Sequence, residues 1–181
     1  MGKTIVAWLV VPIWIALSAL GLYLASGFSM SAFDPQGFLY QRINQPDFDS
    51  VFVVQMNGAF DEPLIDTVVH IANAEQCLCQ VSSSRHINTV KSLAVEQGKR
   101  NVEVSIESIP YLQSVVTATP AIAVFDGDGR LSYLGPYSTG VGCFTGNGQV
   151  EPYLTYEAEV GAVVPVDVSG CYCVNQQAKP V

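Results

Sequence analysis

The residues most suited to chemistry are cysteines, and four of the five fall into two triplets of the same spacing, Cys77-Leu78-Cys79 and Cys171-Tyr172-Cys173. Cysteine acts through its thiolate, and a helix N-terminus lowers the thiol pKa because unpaired backbone N–H groups and the helix dipole favour negative charge. The stretch "AEQCLCQVSSSRHIN", residues 74–88, puts the first triplet just ahead of helical periodicity. Cys77 comes first and is the expected attacking thiol, with Cys79 resolving a mixed disulfide. Side chains at i and i+2 diverge on a regular helix, so a bridge within this triplet requires Cys77 to lie in the preceding loop. The alternative is that the pair are two buried small hydrophobes.

For Cys171 and Cys173, in a polar tail, a structural disulfide to each other or to Cys143 stands beside a relay role toward the first pair. Five cysteines cannot all pair internally, which leaves a free thiol or an intermolecular bridge. A rival chemistry is metal binding: Cys77, Cys79, Cys171 and Cys173 together offer four soft thiolates suited to Cu(I) or Zn(II). His70, in an expected strand, reads as a core or edge residue rather than a ligand. Arg85 and His86 read as a solvated pair on the outer face of the helix. No cofactor motif is present: the chain has no phosphate-binding glycine loop, and the Asp126-Gly127-Asp128-Gly129 run lacks the downstream ligands of a calcium loop and reads as a hairpin turn.

Elements must hold these cysteines in place. "TVVHIA", residues 67–72, is a strand leading into the first triplet; residues 80–97 have helical spacing, stopped by Gly98; "NVEVSI", residues 101–106, is a strand. "TATPAIAVF" and "RLSYLGPY" flank the "DGDG" turn as two further strands. "SVFVVQM", residues 50–56, reads as another strand, and residues 150–159 as a terminal helix beginning near Pro152.

The order strand, cysteines, helix, strand, Thr119-Pro120, strand, hairpin, strand resembles the thioredoxin fold, an α/β fold with a central mixed sheet flanked by helices. The resemblance covers residues 50–137. It implies that Pro120, preceded by Thr119, is a cis-proline beside the active cysteines, so that Cys77, Cys79, Thr119 and Pro120 form a catalytic site. The whole chain is similar to a bacterial family of membrane-anchored thioredoxin-like proteins, without an established role, in which an early and a late Cys-x-Cys recur together. Ordinary thioredoxins carry Cys-x-x-Cys, one residue longer. The implied activity is thiol–disulfide exchange with a protein partner, an oxidoreductase function; a redox-inactive binding domain on the same fold is the further alternative.

Composition bounds the rest. The 181 residues suit one buried domain with appendages. From Thr4 to Phe33 there is no charged side chain, and the apolar centre matches the roughly 20 residues of a membrane-crossing helix. The expectation is a signal anchor and transmembrane helix over 1–33 contacting the bilayer through residues 4–27, a tether over 34–49, a thioredoxin-like domain over 50–160, and a C-terminal extension over 161–181. Lys3 before the apolar run, and Asp34, Asp47 and Asp49 after it, orient the expected protein as single-pass in a bacterial inner membrane, with its domain in the periplasm. All 16 acidic residues lie after residue 33, and the net charge is −8, which excludes a nucleic-acid footprint.

Overall fold

The computed structural model describes residues 2–26, 30–75, 77–140, 148–156 and 161–180, with side chains in the first helix from residue 10 to residue 23. The organising element is a four-stranded mixed sheet of order β3-β2-β5-β6, built from β2 (Thr67–Ala72), β3 (Arg100–Ser105), β5 (Ala121–Phe125) and β6 (Leu131–Pro136). β2 and β3 run parallel, joined across α4 (Leu78–Glu96), while β2 with β5 and β5 with β6 are antiparallel. The two central strands are buried on both faces, which is why "TVVHIA" and "AIAVF" read as continuous rather than alternating runs.

Period-two alternation still sorts their side chains. Val69 and Ile71 of β2 join Ala121, Ala123 and Phe125 of β5 in one core; Val68, Ile122 and Val124 face the other way. α4 covers the second face with Cys79, Ser83, His86, Val90 and Ala94, spaced by three or four residues. It stops where Gly98 adopts φ +76, a left-handed conformation open to glycine, and Lys99 N–H then returns to the Ala94 carbonyl. At the other hairpin, Asp126 Oδ1 accepts the backbone N–H groups of Asp128 and Arg130, closing the "DGDG" turn.

The first face is covered by α3 (Phe48–Asn57), α5 (Pro110–Val115) and the C-terminal segment. Residues 50–56 are therefore helical, not a strand. Their β-branched run suggested extended chain, but Phe48, Phe52 and Met56 recur every fourth residue and bury one stripe, with the Phe52 ring 5.8 Å from Tyr111 and 6.4 Å from Phe125. Tertiary burial overrides local propensity here. The segment 34–49 carries α2 (Phe38–Ile43), with Leu39 buried, and the start of α3. Residues 151–154 form one 3₁₀ turn, with Pro152 in it, rather than the longer terminal helix; the rest of that stretch lies partly outside the described residues.

The N-terminal helix α1 spans Gly2–Ser26 and contains Pro12, which removes one intrahelical hydrogen bond. Among the described residues no helix is long and apolar enough to cross a membrane. That overturns the transmembrane helix and signal anchor over 1–33, the bilayer contact through residues 4–27, and the single-pass inner-membrane placement with a periplasmic domain. Pro12 lies within the apolar run, and the backbone carbonyl it leaves without an intrahelical partner is costly in hydrocarbon.

The tail makes short pairings far from its own neighbours in sequence. β7 (Ser169–Gly170) pairs with β1 (Ser31–Ala32), and β8 (Cys173–Val174) pairs antiparallel with β4 (Ala118–Thr119). The α3 stripe yields a stability prediction: Phe52→Ala should cost about 3–5 kcal/mol in chemical denaturation, whereas Val54→Ala, on the outer face, should stay within about 0.5 kcal/mol. Equal, small losses at the two positions would show that α3 does not pack as described.

Candidate functional site

The cysteine site forms where the end of β2, the start of α4 and the β4–β5 junction meet. Cys77 is the N-cap residue of α4, with extended backbone (φ −92, ψ 161), and its carbonyl accepts the first helical bond from Val81. Its side chain makes no capping hydrogen bond, and the first turn has no acidic residue, so the positive end of the dipole is not offset by a helix side chain. Thr119 and Pro120 lie across from it, joined by a cis peptide bond, and the Thr119 hydroxyl donates to Asn73 Oδ1 (2.8 Å) just beyond β2.

The triplets do not close on themselves. Cys77 is disulfide-bonded to Cys173 and Cys79 to Cys171, with Cα separations of 6.5 and 5.2 Å, inside the range for such bridges. Cys173 stands directly opposite Thr119 in the β4–β8 ladder, so the tail strand lies against the residues that precede Pro120. Cys79 and Cys171 are 8 % and 5 % exposed, while Cys77 and Cys173 are half-buried. Cys143 lies outside the described residues. Among the described residues no group of three or more His, Cys, Asp or Glu side chains is set to hold a metal while the four sulfurs are paired as disulfides.

Noncovalent contacts hold the tail in the same position. Asn175 N–H donates to the Thr117 carbonyl, and its amide donates to the carbonyls of Gln113 (2.8 Å) and Val116 (2.7 Å). The Tyr172 hydroxyl donates to Ser138 O (2.7 Å), and its ring meets Phe33 edge-on at 5.4 Å. Gly170 is needed beneath that ring, because a Cβ there would come within 2.7 Å of it.

Beside the cysteines, a cavity of about 470 Å³ is lined by His70, Asn73, Gln80, Ser84, Pro120 and Tyr137 among others. Beneath it lies a buried polar chain that sequence reasoning did not find. Asn101 donates its amide N–H to the Lys91 carbonyl, which turns Oδ1 toward His70; His70 Nε2–H donates to it (2.8 Å), and Nδ1 accepts from the Tyr137 hydroxyl (2.6 Å). Burial lowers the His70 pKa, which the Asn101 bond partly opposes, and the ring is neutral with its proton on Nε2. Burial likewise drives the Tyr137 phenol well above its ordinary value. His86 turns inward rather than outward, pairing through Nε2 with Glu151 Oε1 (2.7 Å) and meeting the Tyr137 ring at 6.2 Å. The helical spacing of Cys79, Ser83 and His86 was the signal available for this face.

Fold and site together define a mixed α/β protein in which two cysteine triplets are cross-linked beside a cis Thr-Pro bond. Residues 48–175 match the model of a family described as Domain of unknown function (DUF6436), and the chain belongs to that family; the matched span includes both triplets. No curated protein and no solved structure matches the chain.

The His70 chain gives a pH prediction. The unfolded histidine binds a proton near pH 6.5, whereas the folded one resists it, so its contribution to stability is complete above about 6.5 and declines as pH falls below that. The thermal midpoint of the wild-type protein should therefore drop more steeply between about pH 7 and 5.5 than that of His70→Gln. Superimposable profiles would remove His70 as the titrating group.

Proposed function

We propose that this protein is a thioredoxin-like thiol–disulfide exchange protein whose resting form is oxidised, with its own C-terminal triplet bound at the reactive site as an internal partner. The single observation that carries the reading is the pairing of Cys77, at the N-cap of α4, with a cysteine on a strand laid against Ala118 and Thr119. The strand order and directions, the helix opening between parallel β2 and β3, and the cis Thr119-Pro120 bond support the thioredoxin-like architecture. An oxidising environment suits the paired form.

The chemistry follows from thiolate stability. A thiolate of a partner dithiol attacks the Cys173 sulfur, the S–S bond breaks, and Cys77 leaves as the thiolate favoured at the helix N-terminus. The partner's second thiolate then attacks the mixed disulfide, releasing Cys173. The partner departs oxidised, and two electrons with two protons remain on Cys77 and Cys173. The same sequence at Cys79–Cys171 would bring the total to four electrons. In the reverse direction the Cys173 thiolate attacks a partner disulfide, and the Cys77 thiolate then attacks the Cys173 sulfur of the mixed disulfide, restoring the Cys77–Cys173 bond and releasing the reduced partner.

Burial sets the order. Cys79 and Cys171 are the more enclosed pair, so Cys77–Cys173 should be reduced first. When the folded protein is equilibrated across dithiol redox buffers and then alkylated, the trapped thiol count should rise by two and then by two more. Cys77→Ser should abolish the first step. A count that never changes while the fold is retained would sink the exchange reading.

A further inference from the structure

The two disulfides lie side by side, so the four sulfurs occupy one small volume between the N-terminus of α4 and tail residues 171–173. We propose that the reduced protein binds one Zn(II) ion through Cys77, Cys79, Cys171 and Cys173. This goes beyond the exchange reading and rests on it in one respect: both crosslinks must be reducible in the folded chain.

Distances favour the site. In a tetrahedral four-thiolate zinc centre, with Zn–S about 2.3 Å, neighbouring sulfurs stand about 3.8 Å apart. A disulfide holds them at about 2.05 Å, so each sulfur must retreat by only about 1 Å, a small side-chain rotation. Across the two elements the Cα separations are already 6.5 and 5.2 Å. Within each triplet, two residues of chain span at most about 7 Å. The four Cα atoms thus form a closed quadrilateral with no side longer than about 7 Å.

The arrangement should also outlast reduction. The β4–β8 ladder, the three hydrogen bonds of Asn175, the Tyr172–Ser138 bond and the Phe33–Tyr172 contact all hold the tail without sulfur. Zn(II) with four thiolates carries a net charge of −2, and the uncapped first turn of α4, free of acidic side chains, offers backbone N–H groups to that charge. Cys79 and Cys171 are enclosed, which limits water at the centre. Two equivalents of a dithiol convert the two disulfides to four thiols and are themselves oxidised; Zn(II) then displaces up to four protons, so binding strengthens as pH rises.

The test uses the full chain. Oxidised protein is reduced with a phosphine, thiols are counted by alkylation, far-UV circular dichroism verifies the fold, and Zn(II) is titrated against a chromogenic chelator. Co(II) serves as a spectroscopic substitute for tetrahedral thiolate ligation. The expected result is one Zn(II) per reduced chain, held about 100-fold or more tightly than by the oxidised chain. Cys171→Ser/Cys173→Ser should lose a similar factor, since even outer-shell changes at zinc sites cost about 10–100-fold. Two new thiols or none, in a folded protein, would overturn both this proposal and a fully reducible site. Four new thiols with no gain in Zn(II) affinity, or with Co(II) spectra lacking tetrahedral thiolate bands, would overturn the zinc site alone.

Discussion

The double crosslink between the N-terminus of α4 and tail residues 171–173 is the constraint on which the rest of the site depends. It joins residues more than ninety positions apart; the first such closure is typically worth about 2–4 kcal/mol, and the second, two residues away at each end, adds less because the long loop is already closed. It also decides what β4 faces. With Cys173 opposite Thr119, β4 is paired with the protein's own tail rather than left as an open edge.

The arrangement gives one set of sulfurs two chemical conditions. As disulfides they staple the tail, are closed to metal and can accept electrons. In the proposed reduced form they share a cation, while hydrogen bonds through Asn175 and Tyr172 keep the tail docked. The sheet supplies the rigid side of this site: β2, paired on both edges, fixes the start of α4 through the short link from Ala72 to Cys77. The buried Asn101–His70–Tyr137 chain ties β3, β2 and the end of β6 together directly below.

Much of this was legible in the sequence where local pattern and tertiary role agree. β2, α4 with its Gly98 stop, β3 and the Asp-Gly turn each carry their own signal, and Thr119-Pro120 and the first triplet fall at element ends, where chemistry is placed. What was not legible depended on distant partners. α3 looked extended because Val51, Val53 and Val54 are β-branched, while the packing of Phe52 on Phe125 decides for helix. The crossed pairing of the triplets follows from where the tail backbone runs, set by β7 on β1 and β8 on β4, pairings of two residues each that leave no sequence signature. His86 looked solvated because its partner, Glu151, lies 65 residues away. The N-terminal apolar run suggested a membrane span, and no helix among the described residues is long and apolar enough to provide one.

The central claim, that each cysteine of the first triplet is bonded to the second, is tested most directly by non-reducing peptide mapping of the Cys143→Ala variant, which leaves only the four triplet cysteines. Trypsin cuts after Arg42, Arg85 and Arg130, separating the triplets onto different peptides. The account predicts that these two peptides appear as one mass, four hydrogens below their reduced sum, and separate on reduction. Two independent peptides, each two hydrogens light, would mean that the triplets close on themselves and would contradict it.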